Sequence, residues 1–191
     1  MADAQPVPGL VEIHDDVDVT DRFMNTQTNT PTNAPTDQQL IDFVIRETRL
    51  IDQHRFEEWL ELFAEDGFYW MPLEWGQTDP RLTTSLMYED KLLLKIRVER
   101  LKGNRTFSQK PKSRCHHVLQ TPQVDSRNEA ANEYVTWTPM HYVETRLDQQ
   151  DLYAAWATHT LAVVNGALRI KLKRVDIVNC DAAFGNIQLF M

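Results

Sequence analysis

The stretch VVNGALRI, residues 163–170, sets Asn-Gly between two runs of strand-forming residues. A two-residue hairpin turn needs positive φ at both central positions, which Asn and Gly tolerate, so Asn165 and Gly166 predict two antiparallel neighbours joined tightly. β-Branched and aromatic residues extend this character back to the middle of the chain. Strands are predicted over roughly 114–125, 131–146, 151–165 and 168–179, and NIQLFM closes the chain as a last extended segment.

The first half has a different period. In TDQQLIDFVIRETRLIDQHRFEEWLELFAEDG, Thr36 and Gln39 form a capping-box pattern ahead of Leu40, Phe43, Val44, Glu47, Leu50 and Ile51 at helical spacing. Glu47 is the one charged member of that apolar face. A joint near His54 and Arg55 leads to a second helical stripe through Phe56, Trp59, Leu60 and Phe63, closed by EDG. FYWMP, stopped by Pro72, reads as a first strand, and SLMYED as a short strand or turn. KLLLKIRVERLKGN returns to helix through Leu92, Leu93, Ile96 and Leu101, with Gly103 as the stop. Helices first and a long meander afterwards mean α+β, with the helices covering one face of the sheet.

The remainder, residues 1–35, contains NTQTNTPTNAP, which offers no large apolar residue against the entropy of ordering. It is expected to be a partly disordered arm, or one that docks on a neighbouring chain through GLVEI and RFM, ahead of a single domain over 36–191. With 191 residues and 42% hydrophobic content, one sizeable core is affordable. A formal charge of −8 disfavours nucleic acid or an anionic membrane as partner. No apolar run has the length of a membrane span and no basic, apolar leader is evident, so a cytoplasmic location is expected.

KSRCHHVLQ, residues 112–120, holds one of two cysteines and two of six histidines. On a strand, alternation sends His116 and His117 to opposite faces, so they are not expected to share an ion, whereas Cys115 and His117 lie on one face. A metal would need further ligands from elsewhere, and no CxxC or HxxxH spacing supplies them. An adjacent His on the other face is badly placed to activate Cys115. The basic stretch KGNRTFSQKPKSR reads as a solvated loop or a docking surface for an acidic partner.

Four stretches, taken in order, resemble the small (beta) subunit of Rieske-type aromatic-ring-hydroxylating dioxygenases. They are ETRLIDQHRFEEWLELFAEDGFYWMP, SLMYEDKLLLKIRVERL, SQKPKSRCHHVLQ and LRIKLKRVDIVNCDAAFGNIQLFM, spread over roughly residues 40–191. The closing VNCDAAFGNIQLF looks most like the branch acting on benzoate-type aromatic acids. The resemblance implies a cone-shaped, curved and mostly antiparallel sheet wrapped around the N-terminal helices, the nuclear-transport-factor-like or cystatin-like fold. It also implies a hexamer of three alpha and three beta subunits with a beta trimer. The alpha subunit is expected to carry the Rieske [2Fe-2S] cluster and the mononuclear Fe(II), with no cofactor in this chain. A Rieske cluster takes paired cysteines and histidines, which Cys115 and Cys180 do not provide.

Within SRCHH, Ser113, Arg114 and His117 keep the family pattern, while His116 stands where Arg is common. The structural or interface candidates are thus Arg114, His116, His117, Trp70 and Asp181, and none is catalytic. The competing reading is a free-standing dehydratase or isomerase of the same cone fold, using Asp66, His116 or His117 as an acid-base pair in an open pocket. A plugged cone would exclude it.

Overall fold

The computed structural model describes residues 34–103 and 111–191. Residues 1–33 of the arm expected over 1–35 and most of the basic stretch after Lys102 therefore lie outside the described residues. Helix α1 (Asp37–Asp52) opens on the capping box: Gln39 N–H donates to Thr36 Oγ1 at 3.3 Å, and Thr36 N–H to Gln39 Oε1 at 2.8 Å. A turn with His54 at φ 55° leads to α2 (Phe56–Leu60).

Strand β1 (Phe63–Pro72) begins earlier than expected, so α2 is one turn and EDG is not its cap. The reason is tertiary. Ile170 N–H donates to the Leu62 carbonyl at 2.8 Å, and Phe63 and Phe68 face Ile170 and Leu172, with Ala64–Gly67 looped out between them. A Cβ on Gly67 would lie 2.5 Å from the Ile170 carbonyl oxygen, so this bulge requires glycine.

After β2 (Ser85–Asp90), Asp90 caps α3 (Lys91–Lys102) by accepting from Leu93 N–H at 2.8 Å. Helix α3 packs through Leu94, Val98 and Leu101, leaving Leu92, Leu93 and Ile96 exposed. Its leucines repeat on more than one face, and the period alone does not say which face meets the core.

The predicted strand over 114–125 is two strands, β3 (Arg114–Leu119) and β4 (Gln123–Asn128), both paired antiparallel with β5 (Glu133–Arg146). Pro122 between them has no N–H for the ladder. β5, β6 (Gln149–Val164) and β7 (Ala167–Ile177) form the meander, and Asn165 and Gly166 turn at φ 51° and 77° as their residue types require.

The sheet runs β2-β1-β7-β6-β5-β3, with β4 beyond β3 on β5, and only β1 with β7 is parallel. The outer strands do not meet, so the curved sheet stays open, with α1 and α3 on one face. Trp59 centres the core, its ring 4.2 Å from Phe190 and 5.0 Å from Phe63. In NIQLFM, Ile187, Leu189, Phe190 and Met191 are buried, but the segment forms no strand. Side chains take the place of a ladder: the Tyr69 hydroxyl pairs with both the N–H and carbonyl of Met191 at 3.1 Å, and the Glu144 carboxylate accepts from Gln188 and Leu189 N–H.

Candidate functional site

Two polar clusters stand out. The first cluster lies inside the cone, where Glu47 of α1 meets β6 and β7. Lys173 Nζ donates to Glu47 Oε1 at 2.7 Å, Trp59 Nε1 donates to the same oxygen, and His159 Nε2 lies 3.6 Å from Oε2. Burial would raise the Glu47 carboxyl, but Lys173 and His159 outweigh it and hold the group well below the usual carboxylate range. Burial pulls both Lys173 and His159 below their ordinary values. No member exceeds 2% exposure, so no substrate reaches this cluster. It is a plug rather than an acid-base pocket.

Glu47 was visible in the sequence as an intruder on an apolar face; Lys173 and His159 were not singled out. Their signal is phase. His159 alternates in step with Ala155, Ala157 and Leu161, all buried, and Lys173 in step with Val175 and Ile177.

The second cluster lies at the open edge of β3. The Asp52 carboxylate, at the end of α1, accepts from His117 backbone N–H at 3.2 Å and sits 2.6 Å from His117 Nδ1 and 3.4 Å from His116 Nδ1. Alternation does send the two rings to opposite faces: the His116 side chain is 70% exposed and that of His117 only 1%. They nevertheless share one polar partner, because Asp52 lies beside the strand edge, within reach of both sides.

Burial pulls the His117 imidazole below its ordinary value, against the Asp52 carboxylate. The neutral ring therefore carries its proton on Nδ1, since a carboxylate only accepts. Its Nε2 has no partner among the described residues, and the ring rests 4.8 Å from that of Tyr142. Asp52 and His117 also line an open groove of about 400 Å³ with Arg49, Leu119 and Pro122.

Cys115 does not join them as a ligand or nucleophile. Burial, then Asp52 and Glu144, push its thiol up to about 12. Among the described residues no three His, Cys, Asp or Glu side chains converge in a way that could hold a metal ion. Asp66, suspected in the free-standing enzyme reading, is exposed and paired with Lys171, which holds its carboxyl below the ordinary value. It faces no cavity with a raised pKa, and the histidines suspected with it face Asp52.

The other candidates are dispersed. Arg114 is exposed at the start of β3, and Asp181 is exposed in the turn after β7. Trp70 is buried within the chain, its Nε1 donating to Ser85 Oγ at 2.9 Å and its ring 4.3 Å beneath the Arg174 guanidinium.

Similar proteins agree on fold and family. Over 147 residues the chain is 32% identical to the small subunit of 2-halobenzoate 1,2-dioxygenase from Burkholderia cepacia, covering 73% of this chain and 87% of that one. The beta subunit of benzoate 1,2-dioxygenase from Burkholderia mallei superposes with a TM-score of 0.64 at 22% identity, covering 82% of this chain and all of the other. A nuclear-transport-factor-2-like protein with a cystatin-like fold, from Novosphingobium aromaticivorans, superposes at 0.51 with 13% identity, over 74% and 81% of the two chains. The cone fold expected from the resemblance is thus the fold observed. Residues 46–182 match the family model described as the ring hydroxylating beta subunit, and the chain belongs to that family.

Proposed function

We propose that this chain is the non-catalytic beta subunit of a multicomponent aromatic-ring-hydroxylating dioxygenase acting on an aromatic acid, and that it assembles and positions the iron-containing alpha subunits. The observation that carries this reading, beside family membership, is the filled cone. Where a cone-fold enzyme needs an open acid-base pocket, Glu47, Lys173 and His159 neutralise one another out of reach of solvent. Oxidation of the ring is then the work of the alpha subunit, with its Rieske [2Fe-2S] cluster and mononuclear Fe(II). The described donors of this chain fit neither group, since Cys115 and His117 meet no third ligand.

The assembly is three alpha and three beta subunits with a beta trimer, located in the cytoplasm. No described helix is long and apolar enough to cross a membrane. Co-expression with its alpha subunit tests the reading: both chains are expected to co-purify in equal amounts, and turnover of an aromatic acid to require alpha. Oxidation of the ring by this chain alone, supplied with iron and a reductase, would overturn it.

A further inference from the structure

The groove beside Asp52 differs from the interior cluster in being open, and its walls are mixed. It lies between the last two turns of α1 and the turn that joins β3 to β4, with a volume of about 400 Å³, a size common among small-molecule sites. Ile45, Leu119 and Pro122 supply apolar surface, while Arg49, Asp52 and His117 supply the polar groups.

Each polar group makes a definite demand. Arg49 is exposed and has no ion-pair partner among the described residues, so its planar guanidinium is available for a carboxylate. Asp52 is already engaged: its carboxylate accepts from the His117 N–H and ring and lies against His116. The Thr48 hydroxyl, also on the wall, donates to the Val44 carbonyl at 3.1 Å.

His117 is the exception. Asp52 holds its Nδ1 proton, which leaves Nε2 as a bare acceptor on a side chain only 1% exposed. Of the side chains that line the groove, it alone has a buried polar atom without a partner among the described residues. A buried acceptor left unpaired is costly, so a ligand that donates an O–H there gains more than it loses in water. Nε2 itself is closed to solvent, so a hydroxyl reaches it as the rim yields. The exposed turn residues Gln120 and Thr121 are the part of the rim least held by packing.

We propose that this groove binds a small hydroxylated carboxylic acid with a ring as its apolar body. The carboxylate pairs with Arg49, the ring lies over Ile45, Leu119 and Pro122, and the hydroxyl donates to His117 Nε2. Under the subunit reading, oxidation of an aromatic acid yields ligands of this class, carboxylates with new ring hydroxyls. That identification rests on the reading; the site itself rests on the groove.

The probe is 3-hydroxybenzoate, titrated into the full chain and followed by calorimetry and by the nitrogen-15 resonances of the His117 imidazole. Saturable binding to one site is expected, with the Nε2 signal moving as that atom accepts a hydrogen bond. Benzoate, which lacks the donor, and phenol, which lacks the carboxylate, are each expected to bind about tenfold more weakly. Arg49→Gln is expected to weaken 3-hydroxybenzoate about tenfold and to leave phenol unchanged, whereas Arg46→Gln, outside the groove, alters neither.

No saturation at millimolar 3-hydroxybenzoate, equal affinity for benzoate, an unmoved Nε2 signal, or full affinity in Arg49→Gln would each overturn the proposal. In the complex with alpha, binding is expected to persist. Its loss there shows that alpha covers the groove, which sinks this proposal while the subunit reading stands. Failure of the chain to bind any alpha subunit sinks that reading and leaves the measured ring-acid binding standing.

Discussion

Each face of the one sheet carries groups of the polarity opposite to its surroundings. The inner face, packed on α1 and α3, buries an ammonium, a carboxylate, an imidazole and two threonine hydroxyls. The outer face presents valine, leucine, proline and tryptophan. Apolar character alone therefore does not separate the two faces. What distinguishes the faces is the partner each finds: the charged groups inside are matched within the chain, and the apolar groups outside are matched by nothing described in it.

The largest break in this contrast is Glu47→Ala, which strands Lys173 in the core. Urea denaturation is expected to show a loss of about 3–5 kcal/mol, whereas Glu47→Leu with Lys173→Met returns close to wild type. If the double variant is as unstable as the single one, pairing is not what the inner face depends on. Asp52→Ala, which removes the acceptor of both the His117 N–H and its ring, is expected to cost about 1–3 kcal/mol in the same measurement, and Asp52→Asn less.

Acid loosens the inner side more gradually. The unfolded imidazoles of His117 and His159 take a proton near pH 6.5, while burial depresses their folded values. Their contribution is full above about pH 6.5 and is lost as pH falls toward the folded values, because the unfolded chain then binds more protons. The melting temperature should drop between pH 7 and 5, and by less in His117→Gln. The smallest effect belongs outside. For dilute protein, Leu152→Thr is expected to change unfolding free energy by no more than about 0.5 kcal/mol.

Local chemistry was legible where it acts over a few residues. The Thr36 box, the joint at His54 and the Asn165-Gly166 turn depend on neighbours in sequence, and each is where its residues put it. The early start of β1 was hidden because Gly67 answers to Ile170, a residue of the last strand. The buried face of α3 was hidden because two leucine stripes compete and only packing selects one. For the polar clusters, strand phase carried a signal in Lys173 and His159 that their residue types concealed. Asp52 was harder still, since its role comes from lying at a strand edge. Neither the resemblance nor the periodicity pointed to the outer face, although the alternation in β5 records it.

The single parallel ladder between β1 and β7 has a consequence for how the chain reaches this state. β5, β6 and β7 join through short turns, so that meander can form early. β1 must instead find β7 across about a hundred residues of intervening chain, a closure whose entropy is lost before the contacts compensate. Two half-sheets are thus expected to form first and be joined last along Phe68–Trp70 and Leu172–Arg174.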